Sequence, residues 1–164
     1  MKTEKNMMEG KTDKKQVVVM VRWVGNMQFV ATDHMGHSLV MDIPKELGGG
    51  GTGFTPVQLL LVALGGCTGI DIINILEKQR QRVVGLEIKV CGERKPDPPR
   101  VYSKIHIEYT VKGENLDEKA VKRAIELSEG KYCSVGAMIR KEVELTTSYT
   151  LQQVNQGGTH QPEP

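Results

Sequence analysis

Hydrophobic positions along this chain switch period several times, and each switch marks a new element. Val17, Val19, Val21 and Trp23 alternate with Val18, Met20 and Arg22, a β-branched run that reads as a strand. Gly25-Asn26 turns the chain into MQFVAT, DHMGH turns it again, and SLVMDI follows, so an antiparallel three-stranded meander is expected. From Pro56 the pattern changes to LLLVALGGCTGIDIINIL, a run apolar in nearly every direction. It predicts a helix to about Arg80, buried on most of its sides. Thr55 suits the cap, Pro56 the first helical position, and Gln58 the capping-box position.

Period two then returns. Leu86, Ile88 and Val90 alternate with Glu87, Lys89 and Cys91, KPDPP makes a loop, and VYSKIHIEYTVKG comes back as a long antiparallel partner. Asn115 or Asp117 starts a helix whose face is Val121, Ala124, Ile125 and Leu127. Gly130 interrupts it, the Cys133 segment opens a second short helix, and VELTTSYTL ends the order as a strand. The resulting βββ-α-ββ-αα-β order has no repeats and no doubly wound parallel pattern, so the class is α+β. A length of 164 residues fits one domain, expected over 16–152, with disordered tails at 1–15 and 153–164.

Composition removes several functions. Twenty-two basic against twenty acidic residues, interspersed, give a net charge of +2 and no basic face with aromatics, so nucleic-acid binding is not expected. The charged N-terminus lacks the apolar core of a signal peptide. Leu47 to Ile70 carries no charge, but its first part is GGGGTG; the helix-compatible stretch before Asp71 falls short of the ~20 residues of a bilayer span. A cytoplasmic protein without a membrane segment is expected. The glycine loop lacks the Gly-Lys-Ser/Thr ending of a phosphate loop and does not run straight from a strand, so it reads as a flexible hinge rather than a nucleotide site. No cofactor or metal site is expected: the cysteines are far apart in sequence, and His34 and His37 belong to a solvated turn.

The thiols remain. Cys67 sits in the apolar helix beside Gly65, Gly66 and Gly69, whose cost to the helix suggests close approach of another backbone or a substrate. Cys133 lies 66 positions on, near a helix start, where the dipole and free N–H groups favour a thiolate. Cys91, on the outer face of a strand, reads as incidental. A redox pair at Cys67 and Cys133 and a pair of inert core cysteines are both compatible with these positions.

The segments IPKELGGGGTGFTPVQLLLVALGGCTGIDI and GKYCSVGAM resemble the OsmC/Ohr superfamily of thiol-dependent hydroperoxide reductases, over about residues 17–151. GGC-T-x-x-D-x-x-x-I-L and Y-C-S-V are most similar to its YhfA-like branch. The resemblance implies antiparallel sheets around a buried central helix in an intertwined homodimer. It implies a peroxidatic Cys67 that forms a sulfenic acid, a resolving Cys133 that closes a disulfide, and an external dithiol reductant. It also implies an arginine on the thiolate, for which Arg22 is the candidate, and an apolar dimer pocket suited to organic hydroperoxides. One departure matters: peroxidase members carry a glutamate directly after the helix-starting proline, and here that position is Val57. This leaves a second expectation, a protein that binds a small hydrophobic or thiol-reactive molecule without turning over peroxide.

Overall fold

The computed structural model describes residues 16–154; the expected tail at 1–15 lies outside it, as do residues 155–164 of the tail expected at 153–164, whereas Gln153 still belongs to the last strand. Contacts divide the chain into two units that meet between Thr55 and Pro56. In the first, β1 (Val19–Gly25), β2 (Gln28–Asp33) and β3 (Ser38–Met41) form an antiparallel meander in the order β1-β2-β3. The turns are those read from the sequence: Gly25 and Asn26 take positive φ, and the Asp33 carboxylate accepts the Met35 and His37 N–H groups at 2.9 Å. His37 also meets Asp33 through its ring, so it belongs to turn structure.

The glycine loop is not a free hinge. It wraps the Asp42 carboxylate, which is 2 % exposed and accepts from the N–H groups of Ile43, Gly50 and Thr52 and from the Thr52 hydroxyl at 2.7 Å. These donors, the Thr52 hydroxyl first, hold the Asp42 pKa down at about 2. A side chain at Gly49 would strike the Ile43 carbonyl, and one at Gly50 would meet the Asp42 carboxylate at 2.9 Å. Glycine is needed here for close approach, and the loop is held by its own hydrogen bonds.

The second unit contains the helix read from the apolar run, α1 (Pro56–Lys78). It is followed by β4 (Arg82–Arg94), β5 (Tyr102–Glu114), α2 (Glu118–Leu127), a π-type turn over Ser128–Tyr132, α3 (Ser134–Ile139) and β6 (Glu144–Gln153). The βββ-α-ββ-αα-β order therefore holds. Asp117 is the cap of α2, accepting the Lys119 N–H at 3.0 Å. Strand β4 starts four residues before the alternation at Leu86 becomes visible.

Two expectations need correction. The second sheet is mixed: β4 and β5 are antiparallel, but β6 runs parallel to β5, with Ile107 opposite Thr147 and Tyr109 opposite Tyr149. The helices between β5 and β6 carry the chain back before β6 enters, which a sequence of alternating residues does not reveal. Nor is α1 buried on most of its sides within one chain. Leu64, Thr68, Ile72 and Leu76 are covered, at the helical spacing of one face, whereas Leu60, Val62 and Ile70 are exposed. The covered face joins Ile105, Ile107, Tyr109 and Val111 of β5 and Val121, Ala124 and Ile125 of α2 in one core. Gly65 and Gly69 lie against Val90 and Ile88, so these glycines seat the helix on β4 rather than open a path to Cys67.

The helix also runs on through Asp71 to 23 residues, so by length and composition it could cross a bilayer, contrary to the shorter stretch read from the sequence. One face of it packs into the core of the second unit.

Candidate thiol–carboxylate site

Helix α1 carries Cys67 and Asp71 four residues apart, on one face of adjacent turns. The third group arrives from the far end of the same unit. After α2, the π-type turn widens the helix, Cys133 leaves it in an extended conformation, and α3 begins at Ser134. The break brings the Cys133 sulfur to α1. The Cys67 and Cys133 sulfurs and an Asp71 carboxylate oxygen all lie within 4.8 Å of one another. The separation in sequence that argued against any metal-ligating cluster is thus closed by the fold.

The three groups differ in environment. Cys67 is partly exposed, whereas Cys133 is 3 % exposed and its sulfur accepts the Gly136 N–H at 3.2 Å. Burial pushes the Cys133 thiol well above the ordinary thiol range; the Gly136 N–H opposes this, and Cys67 and Asp71 reinforce it. The thiolate help expected from the helix start is therefore outweighed by desolvation. Asp71 is half-buried and accepts the hydroxyl of fully buried Ser128 at 3.0 Å.

Behind Cys133 lies a cavity of about 80 Å³ lined by Leu64, Thr68, Glu129, Arg140 and Thr147 among others. Tyr109 Oη and Glu129 Oε1 are buried without a partner in hydrogen-bond geometry. Burial raises the Tyr109 pKa to about 12 and moves the Glu129 carboxyl upward too. A second, apolar cavity of about 400 Å³ is bounded by Val57, Leu60, Tyr102, Ile105 and two arginines, Arg94 and Arg100.

Of the residues singled out from the sequence, Cys67 and Cys133 come together. Arg22 lies in the first unit, exposed on β1 opposite Val30. Cys91 is exposed on β4 opposite His106, apart from the cluster. Asp71 and Ser128 were not singled out. The spacing of Asp71 from Cys67, one helical turn, was a usable signal; nothing local marks Ser128.

An α+β chain that brings two distant thiols together at a carboxylate defines a thiol-centred domain, and relatives place it. The model of the OsmC-like protein family matches residues 48–148. YhfA of Escherichia coli K12 is 40% identical over 129 residues, 79% of this chain and 93% of YhfA. A hypothetical protein from Aquifex aeolicus superposes with a TM-score of 0.76 at 30% identity, over 86% of this chain and 99% of that one. An organic hydroperoxide resistance protein OsmC from Legionella pneumophila shares the fold at 16% identity, with a TM-score of 0.62 over 84% and 98% of the two chains. The chain belongs to the OsmC-like family.

Proposed function

We propose that this protein is a homodimeric, cytoplasmic thiol enzyme of the stress response that reduces organic hydroperoxides through Cys67 and Cys133. The observation that carries the reading is the approach of the two sulfurs, both free thiols, to within 4.8 Å. A disulfide asks for two residues whose backbones already stand close. The environments favour one division of labour. Cys67, the more accessible, attacks the peroxide O–O bond as thiolate, releasing the alcohol and becoming a sulfenic acid. Cys133, held as a protonated thiol by burial, then displaces the sulfenic hydroxyl; a disulfide and water form, and an external dithiol restores both thiols.

The dimer is supported by apolar surface. Ile70 on α1 is 66% exposed, and Leu60 and Val62 are open beside it. In the first unit Val19, Val21 and Trp23 on one face of β1, and Met20 and Val24 on the other, are exposed together. Isolated chains rarely leave such patches in water, and a second copy is the occupant we assign.

Stopped-flow oxidation by cumene hydroperoxide tests the reading. Oxidation much faster than that of free cysteine, followed by one disulfide per chain, is expected, with both phases absent in Cys67→Ser. Oxidation no faster than free cysteine, or equal in the mutant, would sink it.

One observation favours a second reading. Val57 stands in the wall of the apolar 400 Å³ cavity where peroxidase members have a carboxylate, which suits a small hydrophobic ligand better than proton handling. Native mass spectrometry of freshly purified protein checks this: a bound small molecule, with no peroxide turnover, would replace the first reading with the second.

A further inference from the structure

We infer that reduced Cys67, Cys133 and Asp71 form a binding site for a thiophilic divalent cation of the zinc type. The inference shares its sulfurs with the redox reading but does not require peroxide turnover. Its ground is the donor set. Two sulfurs and a carboxylate oxygen lie within 4.8 Å of one another. A tetrahedral zinc ion, with Zn–S near 2.3 Å, holds two sulfurs about 3.8 Å apart. The 4.8 Å bound leaves at most ~1 Å between the sulfur spacing and that value, and Cys67 and Asp71 project from adjacent turns of one helix.

Two of the three donors already have the supporting contacts that metal ligands use. The Cys133 sulfur accepts the Gly136 N–H, and the Asp71 carboxylate accepts the Ser128 hydroxyl, which orients it. Asp71 forms no ion pair among the described residues, so its charge is not spent on a neighbouring side chain. Thiolates select zinc over magnesium and calcium, and three protein ligands leave a fourth position for water or a thiol-bearing ligand. Binding replaces two S–H bonds with two metal–sulfur bonds and releases about two protons to solvent. Metal and disulfide exclude each other, because the disulfide consumes both donor thiolates.

The experiment uses the full chain, reduced, stripped with chelator and kept under argon, and titrates it with Co²⁺ and then Zn²⁺. Thiolate-to-cobalt charge transfer with the visible bands of tetrahedral cobalt, saturating at one ion per chain and reversed by Zn²⁺, is expected. Cys91→Ser should leave the titration unchanged. Cys67→Ser should lower the charge-transfer intensity by about half, and Asp71→Asn should keep it while weakening affinity ~10-fold or more. Circular dichroism on each variant shows that the fold is intact. Absence of charge transfer, its loss in Cys91→Ser, or equal affinity in Cys67→Ser overturns the inference. Disulfide formation by peroxide is scored separately on metal-free protein by thiol count, so failure of one reading leaves the other measurable.

Discussion

Asp42 and Asp71 are two sheltered carboxylates with opposite degrees of satisfaction. Asp42, in the N-terminal unit, is surrounded by three backbone N–H groups and a hydroxyl, all from within ten residues of it. Asp71, on α1, accepts from one hydroxyl and faces two sulfurs. A carboxylate whose lone pairs are filled by the backbone organises structure; one with lone pairs to spare beside thiols is available for chemistry. The difference teaches that the glycine-rich segment, the most eye-catching motif in the chain, is scaffolding, and that the less conspicuous helix turn after Cys67 carries the candidate site.

The largest effect that would break this comparison is on stability. Asp42→Ala strands the donors of the loop and should lower Tm by roughly 5 °C or more, against less than about 2 °C for Asp71→Asn, measured by thermal unfolding. Equal shifts would erase the distinction. Acid should separate the two next. The Asp42 pKa is about 2 in the folded protein against an ordinary 3.8, so its contribution is complete above 3.8 and is lost as pH falls through 2. Urea unfolding between pH 5 and 2 should show this slope in the parent and a flatter one in Asp42→Asn; identical slopes would refute it.

A smaller effect sharpens the chemical side. Asp71 is one of the groups that push the Cys133 thiol upward, the least of those identified, and burial is the main one. Asp71→Asn should therefore speed alkylation of Cys133 at mildly alkaline pH several-fold, read by mass spectrometry, with Cys91 labelled fast in both proteins. The smallest effect lies within α1. Gly66 has open space where a Cβ would stand, so Gly66→Ala should add up to ~1 kcal/mol of stability. Gly69→Ala should gain less, because its methyl would meet Ile88 at 2.8 Å. Chemical denaturation of both variants would show a reversed order if the seating of α1 on β4 is wrong.

Legibility followed the range of the forces involved. The meander and the start of α1 at Pro56 rest on turn chemistry and periodicity within a few residues and were readable, and the Asp117 cap was one of two candidates with Asn115. The parallel entry of β6 was not, because pairing with β5 joins residues forty apart in sequence, as at Ile105 and Leu145. The exposed face of α1 was hidden as well: an apolar run tells that a helix avoids water, not which molecule covers it. At the site, Cys67 and Cys133 were visible as residues and Asp71 only as a position one turn from Cys67. Ser128 was out of reach, since its role is a contact between α1 and the turn after α2.

Acting alone, the amino-acid order settled which segments become helix and strand, that Cys67 lies inside a helix and Cys133 at the start of one, and that Val57 follows the helix-starting Pro56. These follow from local stereochemistry and from residue identity, which no packing can alter. Tertiary structure alone decided that the two sulfurs meet at Asp71, that the glycine loop is tied down by Asp42, and that burial pushes the Cys133 thiol upward. Proximity between distant residues and removal from water are properties of the packed core. A thiol at a helix start becomes a thiolate or remains a thiol according to how much solvent that core excludes.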